Sequence, residues 1–190
     1  MSKILVIDNY DSFTFNLVHQ LRSELKVGVD VFRNDKIELS DIDLYDSILL
    51  SPGPGIPKEA GIMPEILKTF ATKKKILGVC LGHQGIAENF GSSLLNLDKI
   101  VHGKAYKITT CGEDNKLYKG LPSSFTVGRY HSWVVDPQSL GSELIATSHD
   151  EEGNIMSLRH KDLPVYGVQY HPESILTENG LKIIENWLAI

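Results

Sequence analysis

Three short aliphatic runs, each breaking off at a turn that leads into a helical pattern, constrain this chain more than any other feature. Lys3–Asp8 (KILVID) ends at an acid, and Phe13, Leu17, Leu21 and Leu25 follow at helical spacing. Asp46–Ser51 (DSILLS) precedes a helical periodicity over Glu59–Ala71 that contains Pro64, and Lys75–Cys80 (KILGVC) passes directly into a short helix over Gly82–Phe90. Val27–Arg33 (VGVDVFR) adds a Val-rich strand. Apolar runs without polar alternation suit strands covered on both faces, and strands that alternate with helices form parallel sheets. The expected fold class is therefore α/β, a mainly parallel central sheet with helices on both faces.

After about Gly91 the helical periodicity stops. Runs of β type at Tyr106–Thr110, Val127–Val135, Leu144–Ser148, Ile155–His160 and Val165–Tyr170 predict an antiparallel β extension, and an amphipathic helix carrying Leu181, Ile184, Trp187 and Leu188 closes the chain. No repeat, low-complexity tract or long linker interrupts the sequence, so residues 1–190 are expected to form one domain. The 190 residues suffice for one sizeable core, and 42% hydrophobic with 23% charged residues is ordinary for a soluble globular protein. A net charge of -5 offers no basic footprint for nucleic acid. No apolar stretch approaches the roughly 20 residues that span a bilayer, and the opening segment is too short and too charged for a signal peptide. A cytoplasmic location is the expectation. The two cysteines, Cys80 and Cys111, form no CxxC pair, which gives little support to a disulfide scaffold or a structural zinc site.

Cys80 stands where a strand ends and a helix begins, with Gly78, Gly82 and Gly85 around it (GVCLGHQG). An isolated cysteine at such a place is more often a packing residue. Here the small neighbours permit a tight elbow that exposes the side chain, and the helix N-terminus favours thiolate over thiol. The elbow also aims the Leu81 N–H at the position of a developing oxyanion. Downstream, VQYHPES places His171 and Glu173 on either side of a proline at a strand end. A carboxylate two residues from a histidine can hold one ring nitrogen and leave the other to take a thiol proton. The third element, Ser51–Pro57 (SPGPGIP), is a rigid Pro/Gly turn after a strand, able to present an amide as a second oxyanion donor.

Together SPGPG, GVCLGHQ and YHPES, in this order, resemble the class I glutamine amidotransferase family, and LVIDNYDSFTFNLVHQL, SPGPGIPKEAG and RYHSW bring the chain nearest to the amidotransferase subunits of anthranilate synthase and aminodeoxychorismate synthase. The likeness covers essentially the whole chain and implies a flavodoxin-like sheet. It implies Cys80 as the nucleophile that forms a glutamyl thioester, His171 as the acid–base and Glu173 as the residue orienting it. Gly53 and Leu81 would supply the oxyanion hole, and Gly53, Pro54, Gly55, Gln84, Ser132 and Trp133 would contact L-glutamine. Trp133 departs from the family pattern, which usually has an aliphatic residue after RYHS, so contact there is expected through the backbone. The resemblance further implies a partner, a chorismate-binding synthase subunit (component I of either synthase) that carries Mg²⁺ and any tryptophan feedback site, with no cofactor in this chain.

Other readings stay open on the residues alone: a Cys–His peptidase or γ-glutamyl hydrolase acting without a synthase, or a non-enzymatic scaffold, which intact Cys80, His171 and Glu173 disfavour. Residues 8–12 read as structural, with Asp11 or Ser12 capping the first helix. His131 reads as a positioning residue, His83 as a local packing residue and Cys111 as a non-catalytic thiol. His19, His102, His149 and His160 lack metal-ligand spacing.

Overall fold

The computed structural model describes residues 3–97, 103–112 and 115–190; His102 lies outside them. The chain runs β1 (Ile4–Asp8), α1 (Thr14–His19), β2 (Val29–Arg33), α2 (Leu39–Ile42), β3 (Ser47–Leu50), α3 (Met63–Phe70), β4 (Lys75–Val79) and α4 (Leu81–Asn89). It continues through β5 (Leu94–Asn96), β6 (Lys104–Thr110), β7 (Ser124–Arg129), β8 (Trp133–Val135), β9 (Leu144–Asp150), β10 (Ile155–His160), β11 (Val165–Val168) and α5 (Gly180–Ala189). Among the described residues these strands form one nine-stranded sheet in the order β2-β1-β3-β4-β11-β10-β9-β6-β7 and a two-stranded sheet of β5 and β8.

The first five strands in that order are parallel and the last four antiparallel. Every residue of β1, β3 and β11 is buried, as strands covered on both faces must be. Leu17 and Val18 of α1 pack with Ile183, Ile184 and Trp187 of α5 on one face. Ile42 of α2, Ile66, Leu67 and Phe70 of α3, and Ile86 and Ala87 of α4 cover the other. Each large aliphatic side chain so buried contributes about 1.5–3 kcal/mol.

Several sequence expectations shift. Val165–Val168 belongs to the antiparallel extension on one side only: β11 pairs antiparallel with β10 but lies beside β4 in parallel register, Gly167 opposite Gly78, and so joins the two parts of the sheet, where a fully buried apolar strand is covered at its centre. The Val127–Val135 run is two strands in two sheets, broken over residues 130–132, and β8 pairs instead with β5. The third helix starts at Met63 rather than Glu59, with Pro64 in its first turn, where a missing N–H costs nothing. The Phe13–Leu25 pattern is α-helical only to His19 and then widens into a π-turn over Gln20–Glu24. In α5 the fully buried residues are Ile183, Ile184 and Trp187, with Leu181 and Leu188 only half-buried.

β1, β3, β4 and β11 all point their carboxyl ends the same way, so the segments that follow them gather at one edge. Chain order reverses between β1 and β3, the place where an open parallel sheet leaves a crevice.

Candidate active site

Cys80 is the residue on which the site turns. It follows β4 with φ +52° and ψ -98°, a backbone that costs a non-glycine residue of order 1–3 kcal/mol and persists only when its surroundings enforce it. The enforcement is visible. Cys80 N–H donates to Val168 O of β11 at 2.8 Å, while Cys80 O accepts from Gln84 N–H in the first turn of α4. The helix presses so closely on the strand that a Cβ on Gly78 would stand 2.4 Å from the Gly82 carbonyl. The thiol carrier is thus held at a helix N-terminus, and Leu81, first residue of α4, has an N–H with no intrahelical acceptor.

The SPGPG turn after β3 reaches the same point. A Cβ on Gly53 would lie 2.6 Å from Asn9 Cβ and 2.7 Å from Leu81 Cδ2, so only glycine lets this loop approach the elbow. Asn9 fastens the loop: its N–H donates to Ser51 Oγ, its Nδ2 to Ser51 O, and its Oδ1 accepts from Asn34 Nδ2. Sequence reasoning places Asn9 only among structural residues of the first loop; its position directly after the β1 carboxyl end is the signal that it belongs here. The expected cap of α1 by Asp11 or Ser12 is not formed: the helix starts after Phe13 without a side-chain cap, Asp11 accepts only from Phe13 N–H just ahead of it, Asp8 accepts from Thr14 Oγ1, and Ser12 is exposed.

His171 and Glu173 follow β11. The turn is anchored by His171 N–H on Gly128 O and by Thr177 Oγ1 on His171 O. His171 Nδ1 meets Glu173 Oε1 at 2.8 Å, both side chains being buried. The ring is packed by Tyr130, centroids 4.8 Å apart, and edge-on by Phe13 at 5.2 Å. Its Nε2 is buried and has no hydrogen-bond partner among the described residues, and the Cys80 sulfur is close enough to act on its titration. Burial pushes the His171 pKa down, but the Cys80 sulfur and the Glu173 carboxylate outweigh it and raise it to about 10. The imidazolium is therefore the resting form, paired to a carboxylate on one side and facing sulfur on the other.

His131 has the opposite surroundings. Arg129 Nε–H donates to its Nε2 at 3.1 Å, so the ring proton sits on Nδ1 and is donated to Trp133 O at 2.9 Å. Burial, followed by the charge of Arg129, drives its pKa to about 3. Both nitrogens are engaged, which leaves no free base. His83 is fully buried in α4, and burial lowers it to about 4.

A cavity of about 250 Å³ opens above Cys80 and is lined by Gly53, Pro54, Gly55, Leu81, Gln84, Ser132 and Trp133, with Tyr130 and His131. All the residues expected around a small substrate thus share one chamber, while His171 and Glu173 are not among its lining. The volume falls below the roughly 300–1,000 Å³ of drug-sized pockets. Because β8 alternates, Ser132 O pairs with Leu97 N–H and the Trp133 amide faces the other edge, toward the chamber. Trp133 O is occupied by Gln84 Nε2 and His131, so of that backbone the N–H remains for a ligand. Cys111 stands apart, 3.4 Å from His149 Nδ1, and burial raises its pKa. No cluster of three or more His, Cys, Asp or Glu able to hold a metal ion occurs among the described residues.

The family model for glutamine amidotransferase class-I matches residues 5–190. The chain belongs to the class I glutamine amidotransferase family. Within it, the chain is 46% identical to aminodeoxychorismate/anthranilate synthase component 2 of Bacillus subtilis, covering 97% of this chain and 95% of that one. It is 44% identical to the bifunctional protein TrpGD of Thermotoga maritima over all of its own length but spans only 32% of that relative. Among solved structures, a Thermoplasma acidophilum protein described as part of a GMP synthase superposes with a TM-score of 0.88 at 30% identity, over 100% of this chain and 93% of that one. Amidotransferase membership accords with the mixed, mostly parallel sheet and the strained cysteine elbow. Among the described residues no helix is long and apolar enough to cross a membrane.

Proposed function

We propose that this chain is the glutaminase subunit of a cytoplasmic chorismate-using synthase, releasing ammonia from L-glutamine for a partner that makes anthranilate. The observation that carries the reading is the single small chamber joining the Cys80 elbow to Gly53–Gly55, Gln84 and Ser132–Trp133. In this mechanism the Cys80 thiolate attacks the side-chain amide carbon of glutamine. The oxyanion that forms is held by the Gly53 and Leu81 N–H groups, preorganised by the close packing of Gly53 on Leu81. The His171 imidazolium gives its proton to the leaving nitrogen, the C–N bond breaks, and ammonia departs from a glutamyl thioester. Neutral His171, steadied by Glu173, then takes a proton from water as it attacks the thioester, regenerating thiolate and imidazolium and releasing glutamate.

The partner is a chorismate-binding synthase subunit, which holds Mg²⁺; this chain supplies no cofactor. The Bacillus relative is named for both synthases, so delivery of ammonia to the aminodeoxychorismate partner is the second reading. The test mixes the purified chain with each candidate partner, chorismate, Mg²⁺ and glutamine. Wild type should release glutamate and form anthranilate, and Cys80→Ala should lose glutamine-dependent product by at least about 10³-fold while keeping product from added ammonia. Product with the aminodeoxychorismate partner alone would move the chain to that synthase. Glutaminase activity surviving in Cys80→Ala would sink the reading.

A further inference from the structure

Gln169 has no part in the scheme above, yet it is fully buried at the carboxyl end of β11 and touches the reacting sulfur: its Nε2 lies 3.6 Å from Cys80 Sγ. The preceding residue, Val168, holds the Cys80 N–H through its carbonyl. The last residue of β11 and the one that follows it therefore grip Cys80 at its backbone and at its side chain.

A glutamine amide can face either way, so what matters is which end meets the sulfur. The surroundings decide it by a chain of obligate donors and acceptors. Trp133 O can only accept, so the group of Gln84 that lies 2.9 Å from it must be the NH₂. The same NH₂ lies 3.2 Å from Gln169, which must answer with its oxygen. The Gln169 NH₂ is then left facing Cys80. The Trp133 carbonyl is itself fixed by His131 Nδ1–H, whose tautomer is set by Arg129, and Arg129 is ion-paired with buried Asp150 in β9. Each link has one permitted polarity, and the series ends in an N–H directed at sulfur.

We infer that Gln169 is a further catalytic residue, a hydrogen-bond donor that stabilises the Cys80 thiolate, with Gln84 and the Trp133 carbonyl as the positioning groups that keep its NH₂ turned to the sulfur. Geometry favours this over simple packing. A buried primary amide is costly unless its ends are satisfied, and here both ends are specified, one of them by the nucleophile.

The inference rests on Cys80 being the nucleophile, and the test separates the two. Iodoacetamide alkylation of Cys80 is followed against pH in the full-length chain by peptide mass, with Cys111 as the internal reference, for wild type, Gln169→Leu and the isosteric Gln169→Glu. The donor lost in Gln169→Leu should move the midpoint of the Cys80 rate profile upward by about 1–2 pH units, from the worth of a hydrogen bond to a charged group. Gln169→Glu, which turns an acceptor to the sulfur, should move it further. Thermal melts of both variants show whether each is folded, and the isosteric variant keeps the test alive if leucine packs badly. A wild-type midpoint left in place by both substitutions would overturn the inference. Cys80 reacting no faster than Cys111 in wild type would overturn the nucleophile reading instead.

Discussion

His171 and His131 are two buried imidazoles at one site, and their surroundings drive them in opposite directions, to about 10 and to about 3. Burial lowers both, so burial does not distinguish them. His171 meets a carboxylate and a sulfur, each of which gains from a cation; His131 meets a guanidinium and a carbonyl, a pair that leaves room for one ring proton only. Two neighbouring histidines are thereby suited to different work, His171 to the proton transfers proposed above and His131 to holding the Trp133 carbonyl still.

The same substitution at both positions tests this most severely. His171→Phe should lower glutaminase kcat in the assembled synthase by about 10²–10⁴-fold, the usual worth of a general acid–base. His131→Phe should lose about tenfold, mainly through KM, because it loosens the Trp133 backbone at the substrate wall. Equal losses in kcat would erase the distinction.

The support beneath His131 gives a smaller effect, read in stability. Arg129→Met strands Asp150 as a buried unpaired carboxylate, since both side chains of that ion pair are almost wholly inaccessible. Unfolding free energy measured in denaturant should drop by about 3–5 kcal/mol. Adding Asp150→Leu should restore much of it; a double variant no better than the single would show that the cost lies elsewhere.

The least effect is on the pH profile of stability, and there the two histidines pull on opposite limbs. An unfolded histidine titrates near 6.5. His131, joined by His83, stays neutral in the native state down to about 3 and 4, so unfolded chains bind more protons as pH falls below 6.5 and stability declines on the acid side. His171 keeps its proton in the native state to about 10, so its contribution is complete below pH 6.5 and is lost as pH rises from there to about 10. Denaturation midpoints across pH should show a shallower acid limb in His131→Phe and a shallower alkaline limb in His171→Phe. Unchanged limbs would mean that neither ring is held as its surroundings require.

How far these positions are legible in sequence follows from how local their causes are. Cys80 can be found because the glycines that permit its elbow are its neighbours, and His171 and Glu173 because a proline fixes them within one tripeptide. The parallel placement of β11 is not legible: Val165–Tyr170 follows a stretch of antiparallel strands, and nothing within those residues says that the strand returns to pair with β4. Asn9 and Gln169 sit in plain view beside recognised motifs, but their partners, Ser51 and Cys80, are supplied by the fold. The same is true of Arg129, whose ion pair with Asp150 joins two strands that are not neighbours in the sheet. Pattern and spacing report what a residue does to its own backbone; they report long-range pairings only when a motif has already recorded them.

The insertion of β11 between β4 and β10 also orders events during synthesis. The strand that leads to His171 enters the middle of the sheet after every other described strand has been made, and until it arrives Cys80 lacks both the Val168 carbonyl that braces its backbone and His171. Such non-local pairing is slow, because the entropy of loop closure is lost before the contacts that offset it can form. A chain still emerging from the ribosome would therefore carry the cysteine but not the reaction, and glutamine would be spared until the fold that can use its nitrogen is complete.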